Sequence, residues 1–175
     1  MIIFVNGPFG VGKTTTASLL VECIPHAMVY EVIGSYVRYL LRAVEQADDY
    51  QDHVLWRILT VDVASLLRET YGRSLVVPMA ITRRDYYDVI MGGFREIDPE
   101  LACFRLMASP EVLRARILAS DDVEAREWRL SHMEHGLAAL ADPAFGVEIC
   151  TDDLSPNAVV DRIIAMLPTL HQGAE

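Results

Sequence analysis

The sequence predicts an α/β fold built on a mainly parallel sheet of five strands. Short apolar runs alternate along the chain with longer segments of helical periodicity. The first run, Ile2 to Asn6, is apolar without alternation, as a strand covered on both faces must be. A glycine-rich turn separates that strand from a helix. Together these describe a three-layer sandwich in one domain, a size that 175 residues suit.

The remaining elements follow in order. After the turn, a helix runs from about Lys13 to Ile24, and Ala27 to Glu31 forms a second strand. Gly34 to Glu45 reads as a helix, with Asp48 to Gln51 as the turn after it. A long helix from about His53 to Thr70 carries Leu55, Ile58, Leu59, Leu66 and Leu67 at helical spacing, and Tyr71-Gly72 closes it. Ser74 to Met79 is the third strand. A helix from Arg84 is expected to stop at the Gly92-Gly93 pair. Leu101 to Ala108 is the fourth strand, and Pro110 opens the next helix at a position proline favours. The polar stretch Ser120-Asp121-Asp122-Val123 breaks that helix. A helix from about Glu124 to Leu140, a fifth strand from Phe145 to Cys150 and a helix from Ser155 to about Leu167 complete the chain.

Composition narrows the function. Apolar residues make up 52% and charged residues 23%, which favours a packed core over disorder. A formal charge of −10 repels nucleic-acid phosphates and anionic lipid, so neither is an expected partner, while a local basic pocket for a small anion stays open. The start, Met-Ile-Ile-Phe-Val, has no signal-peptide pattern and no apolar run approaches a membrane span, which points to a cytoplasmic protein. Cys23, Cys103 and Cys150 are expected to be buried, reduced thiols.

The segment Gly7-Pro8-Phe9-Gly10-Val11-Gly12-Lys13-Thr14 fits G-x-x-x-x-G-K-T, between a strand and a helix, where a phosphate-binding P-loop belongs. Its glycines let the backbone approach closely, so successive N–H groups face phosphate oxygens at the positive end of the following helix. Lys13 is placed to reach the β- and γ-phosphates, and the Thr14 hydroxyl to ligate Mg2+, with Thr15 beside it. No guanine-reading N/T-K-x-D occurs, which favours ATP.

With these residues in view, the chain resembles the P-loop kinases of nucleotides and small metabolites, and among them the tunicamycin-resistance ATP-binding proteins. The resemblance is carried by Ile3 to Thr14, Tyr30-Glu31 with Gly34 and Arg38, Trp56 and Asp62, and Leu75-Val76-Val77-Pro78 with Thr82. It implies a sheet of adenylate-kinase type, with the second and third strands to one side of the first, and a small lid near residues 120–126. It also implies a small-molecule acceptor, anionic or nucleoside-like, in a monomer or a homodimer.

Ligands of parallel sheets bind beyond the carboxyl ends of the strands. Glu31, ending the second strand, is thereby a candidate to accept a hydroxyl proton or hold a magnesium-bound water, or is a solvated strand-end acid. Arg38 shares a helix face with Gly34, and the resemblance gives such an arginine the acceptor's phosphate; a surface role is the alternative. Arg83, with Arg84, follows the third strand and is poised similarly. Trp56 and Asp62 lie on the helix that would wall the acceptor pocket, Trp56 as core or stacking platform and Asp62 as a solvent-facing or pocket acid. Nucleotide kinases carry an acid after the third strand, but here Pro78-Met79-Ala80-Ile81-Thr82 has none.

Arg114, Arg116, Arg126 and Arg129 bracket the acidic break, and arginines closing there would neutralise charge on a transferred phosphoryl group. Arg116 and Arg126 are the catalytic candidates, with Arg116 alternatively on adenine and Arg126 alternatively in an ion pair with Asp122. Thr151 to Pro156 would line the adenine side or simply cap a helix. His132 and His135 lack the spacing and third ligand of a zinc site.

Overall fold

The computed structural model describes residues 1–31, 35–44, 47 and 49–167, with the side chains of residues 35–38 and 40 outside that description. The strands are β1 (Ile2–Asn6), β2 (Ala27–Val29), β3 (Ser74–Pro78), β4 (Ala102–Met107) and β5 (Val147–Cys150). They form one sheet in the order β2-β3-β1-β4-β5, with every pairing parallel. The central strand β1 aligns Ile2 with Leu75 on one side and Ile3 with Ala102 on the other. This is the five-stranded P-loop sheet of adenylate-kinase type.

Because side chains alternate along a strand, β1 feeds two cores. Ile3 and Val5 enter one with Leu20 of α1 (Lys13–Cys23), Ile117 of α5 (Pro110–Leu118) and Ile163 of α7 (Pro156–Ala165). Ile2 and Phe4 enter the other with Ala64 of α3 (Val54–Tyr71) and Ile90 and Phe94 of α4 (Arg84–Ile97). With both faces covered, β1 is buried throughout, which is why its sequence shows no polar alternation. Two further helices, α2 (Ser35–Val44) and α6 (Arg126–Ala139), lie before α3 and after α5 in the chain. Serine caps start α5 and α7: Ser109 Oγ accepts from the Val112 N–H and Ser155 Oγ from the Ala158 N–H, each ahead of a proline.

Three sequence expectations are corrected. β2 ends at Val29, although Tyr30 N–H still reaches Val76 O at 2.8 Å, so Glu31 lies beyond the strand. Helix α4 runs through Gly92-Gly93 to Ile97. Gly93 is there because α3 passes so close: a Cβ would meet Val61 side-chain carbons at 2.6 and 2.7 Å. Among the cysteines, Cys23 and Cys150 are exposed, at the last turn of α1 and the end of β5; only Cys103 is partly buried, with its thiol 3.5 Å from Met91 Sδ.

The two adjacent glycines should respond oppositely to alanine. Gly92 has open space around its Cβ direction, so Gly92→Ala should gain about 0.5–1 kcal/mol from helix propensity. Gly93→Ala must push a β-branched neighbour aside, and overpacking of about 1–3 kcal/mol should outweigh that gain. Urea denaturation of the two variants beside the parent checks both signs.

Candidate active site: a P-loop cleft at the carboxyl ends of the strands

The P-loop is the connection from β1 to α1, and its shape is set by contacts a side chain would block. Gly10 has φ 83°, and a Cβ on it would lie 2.6 Å from Ile117 Cγ1. Gly12 precedes α1 with φ 102°, a left-handed geometry that opens the first-turn N–H groups toward the cleft. Lys13 Nζ donates to the carbonyls of Gly7 (2.8 Å) and Pro8 (2.9 Å) and lies 5.4 Å from the Phe9 ring centre. Burial, with the Arg129 guanidinium adding repulsion, pulls the Lys13 pKa down to about 7, against the two carbonyls, which favour the ammonium.

One residue that sequence reasoning missed fastens this loop to the sheet. Asn6, wholly buried at the end of β1, donates from Nδ2 to Ile81 O (3.0 Å), and its Oδ1 accepts from Gly7 N–H (2.9 Å) and Ile81 N–H (3.0 Å). A polar residue closing an otherwise apolar buried strand was the signal.

The cleft over the P-loop encloses about 610 Å³. Of the residues singled out in the sequence, Phe9, Gly10, Gly12, Lys13, Thr14, Thr15, Glu31, Trp56 and Arg116 all line it. Ser120 and Arg129, named with the acidic break and its flanking arginines, line it too, and Tyr50, Gln51, Met79 and Ala80 complete the facing wall. Tyr50 and Gln51 belong to a 3-10 turn at Tyr50–Asp52, capped by Asp49 Oδ1 accepting from Gln51 N–H at 2.9 Å. Gln51 Nε2 donates to Ala80 O (3.1 Å), so this turn is tied to the exit of β3. Trp56 is 1% exposed, and its indole Nε1 is buried with no hydrogen-bond partner among the described residues. It serves both as core and as cleft wall.

A second cavity, about 330 Å³, lies behind the P-loop and is lined by Val11, Thr15, Arg116, Thr151, Leu154 and Pro156 among others. Arg116 borders both cavities. Its guanidinium donates to Thr151 Oγ1 (2.9 Å) and Thr151 O (2.8 Å), which fixes it at their junction.

Other candidates fall elsewhere. Asp62 is exposed on α3 and lines neither cavity, the solvent-facing alternative. Arg83 is also outside both: it pairs with Asp85 (2.7 Å) and Asp52 (3.4 Å) and lies 4.0 Å from the Tyr86 ring centre. Arg38 lies on α2, but its side chain, like Gly34, falls outside the described residues. Of the arginines that bracket the 120–126 segment, it is Arg129, in the first turn of α6, that faces the cleft and not Arg126. Arg126 donates to Ser120 O (2.9 Å), and its Nε is buried without a partner among the described residues. The ion pair across the break joins Asp122 to Arg129 (2.6 Å) in place of Arg126. Helix α6 rests on the P-loop: a Cβ on Gly136 would lie 3.3 Å from Pro8 Cβ, and Trp128 meets Phe9 edge-on at 4.7 Å. His132 stacks on Trp128 at 4.3 Å, and no group of three metal-ligating side chains occurs among the described residues. Nor does any described helix have the length and apolar character to cross a membrane.

Lys13→Ala should abolish measurable nucleotide binding in calorimetry while leaving the circular dichroism spectrum unchanged. In the parent chain, phosphate contact raises the Lys13 pKa above its free value of about 7. The sign follows: affinity is full below pH 7 and declines above it, by up to about tenfold per pH unit until the pKa of the complex is reached. Titration at pH 8 in two buffers of different ionisation heat should reveal proton uptake on binding.

Comparison with known proteins agrees with this geometry. A family model described as an AAA domain matches residues 3–135. The structure of the tunicamycin resistance protein of Deinococcus radiodurans superposes with a TM-score of 0.75 at 28% identity, covering 95% of each chain. A sugar kinase from Janibacter sp. HTCC2649 gives 0.66 at 21% identity, over 94% of this chain and 92% of that one. A gluconokinase from Sinorhizobium meliloti 1021 gives 0.64 at 20%, over 96% and 91%. No curated protein matches the chain. A nucleotide-binding P-loop in its proper strand-to-helix setting, on a sheet ordered 2-3-1-4-5, and the family match over three-quarters of the sequence lead to one conclusion: the chain belongs to the AAA domain family of P-loop proteins.

Proposed function

We propose that the protein is an ATP- and magnesium-dependent kinase of a small molecule, with a nucleoside-like antibiotic of the tunicamycin kind or a related metabolite as acceptor. The observation that carries this reading is the meeting of Lys13, Thr14, Glu31 and Trp56 in one cleft of about 610 Å³, large enough for a nucleotide's phosphates and a second compound. The 28% identity over nearly the whole chain to a tunicamycin resistance protein supports the choice of acceptor.

In this reading the P-loop amides and Lys13 hold the β- and γ-phosphates of ATP, and the base lies toward the second cavity beside Arg116. The acceptor hydroxyl gives its proton to Glu31 as its oxygen bonds to the γ-phosphorus, and the bond from that phosphorus to the β-phosphate oxygen breaks to release ADP. Arg129 and Arg116 neutralise charge on the phosphoryl oxygens, Arg129 from the lid formed by the 120–126 segment and the start of α6. Arg126 supports that lid through Ser120. Magnesium, when bound with the nucleotide, neutralises phosphate charge. Thr14, exposed on the cleft wall at the first turn of α1, is the hydroxyl that would hold it, and Glu31 is the one carboxylate among the described lining residues.

A second reading, ATP-dependent sequestration without transfer, is favoured by one observation: Met79 to Thr82 carries no acid after β3. Mass spectrometry of protein incubated with ATP, magnesium and tunicamycin or a panel of nucleosides and sugars separates the two. A phosphorylated product supports the kinase; a bound, unmodified compound supports sequestration.

Glu31→Gln should lower kcat by roughly 10²–10⁴. Nucleotide affinity should stay within about twofold, because in this reading the phosphates are held by the P-loop amides and Lys13. Arg129→Ala should reduce turnover more than Arg114→Ala, since Arg129 lines the cleft and Arg114 is exposed outside it. Steady-state kinetics with a coupled ADP assay measure both.

A further inference from the structure

The cleft is electrically divided. Its cations, Lys13, Arg116 and Arg129, belong to the P-loop, α5 and α6. The opposite wall, from Tyr50 and Gln51 through Trp56 to Met79 and Ala80, has no charged side chain among the described residues, and Glu31 is the one carboxylate among the described residues lining the cleft. Two described arginines that touch the 3-10 turn, Arg57 and Arg83, are occupied. Arg57 Nη1 donates to Gln51 O, and its guanidinium lies 4.1 Å from the Tyr86 ring centre. Arg83 is held by Asp85 and Asp52. Among the described residues, an acidic acceptor on this wall would meet the Glu31 carboxylate and no cation, an arrangement that disfavours it.

The same wall holds an unanswered donor. The Trp56 indole is 1% exposed, and its Nε1–H has no hydrogen-bond partner among the described residues, whereas buried polar groups are nearly always paired. Tyr50 packs edge-on against this indole at 5.3 Å and is itself 37% exposed. Thr60, one turn along α3, does not relieve the indole: its hydroxyl donates to Trp56 O at 2.8 Å.

Resting on the reading of this cleft as a two-substrate site, we infer that its acceptor is an uncharged, hydroxyl-bearing ring compound, one of whose oxygens accepts the Trp56 Nε1–H. Tyr50 is the ring that such a ligand displaces to reach the indole. Gln51, oriented by its bond to Ala80 O, forms the adjoining polar edge. Trp56 is thus a specificity-determining residue: it rewards an acceptor carrying an oxygen at that point, and the wall around it rejects phosphorylated or carboxylated analogues.

The test is equilibrium dialysis of the full chain, with ADP and magnesium, against an equimolar mixture of uncharged compounds (nucleosides, glucose, tunicamycin) and anionic ones (nucleoside monophosphates, gluconate), reading retained species by mass spectrometry. The expected result is retention of uncharged members only. Trp56→Phe should weaken the retained compound about tenfold or more while leaving the Kd for ATP unchanged. As a second readout that does not depend on that variant folding, Trp128→Phe leaves Trp56 as the sole tryptophan, and its emission should change on adding the retained compound. Preferential retention of an anionic compound, above all one lost in Arg38→Ala, overturns the inference. So does retention indifferent to Trp56→Phe with no change in Trp56 emission, or retention of nothing. A retained, Trp56-dependent compound that gains no phosphate from ATP overturns the kinase reading and leaves the acceptor class standing.

Discussion

The buried amide of Asn6 is the joint on which the site depends. Its Oδ1 accepts from the first N–H of the P-loop and from Ile81 N–H, while its Nδ2 donates to Ile81 O. Those three bonds lock the phosphate cradle to the segment leaving β3, and that segment in turn holds Gln51 through Ala80 O. The phosphate cradle and the 3-10 turn that walls the cleft are therefore registered to each other through the side-chain amides of Asn6 and Gln51. In a wholly buried position each such bond is held in a low dielectric, and leaving one unmade would cost about 1–3 kcal/mol.

Much of the fold is written in one-dimensional patterns. The unbroken apolar character of Ile2 to Val5 required cover on both faces, and the two cores on either side of β1 supply it. The P-loop was legible because its chemistry is local: a strand, eight residues and a helix suffice. The Gly92-Gly93 pair misled because a glycine's meaning depends on its neighbours in space. Nothing in sequence tells that Val61, thirty-two positions earlier, presses on Gly93 and makes a small residue a packing requirement inside α4.

The cleft wall facing the P-loop cations was less legible for the same reason. Asp62 and Arg83 have the right chemistry and the right vicinity, but an exposed helix position and a local partner at Asp85 take them out of the cleft. Tyr50 and Gln51, by contrast, looked like turn residues and became wall because a hydrogen bond to Ala80 draws the turn in. Arg126 and Arg129 share a helical periodicity, so only the three-dimensional path of the chain at Ser120 and Asp122 decides which faces the cleft. Charge gives a similar lesson: a chain of net −10 still concentrates three cations around its phosphate seat.

The position of Lys13 has a consequence for affinity. In the ligand-free loop its ammonium is already coordinated by two carbonyls of that same loop. Nucleotide binding is therefore an exchange of partners, in which the lysine gives up Gly7 and Pro8 for phosphate oxygens. Only the difference between the two sets appears as binding free energy. A ligand with too little negative charge to win that exchange leaves Lys13 on its own loop's carbonyls, so the cradle discriminates among anions by the charge they bring to it.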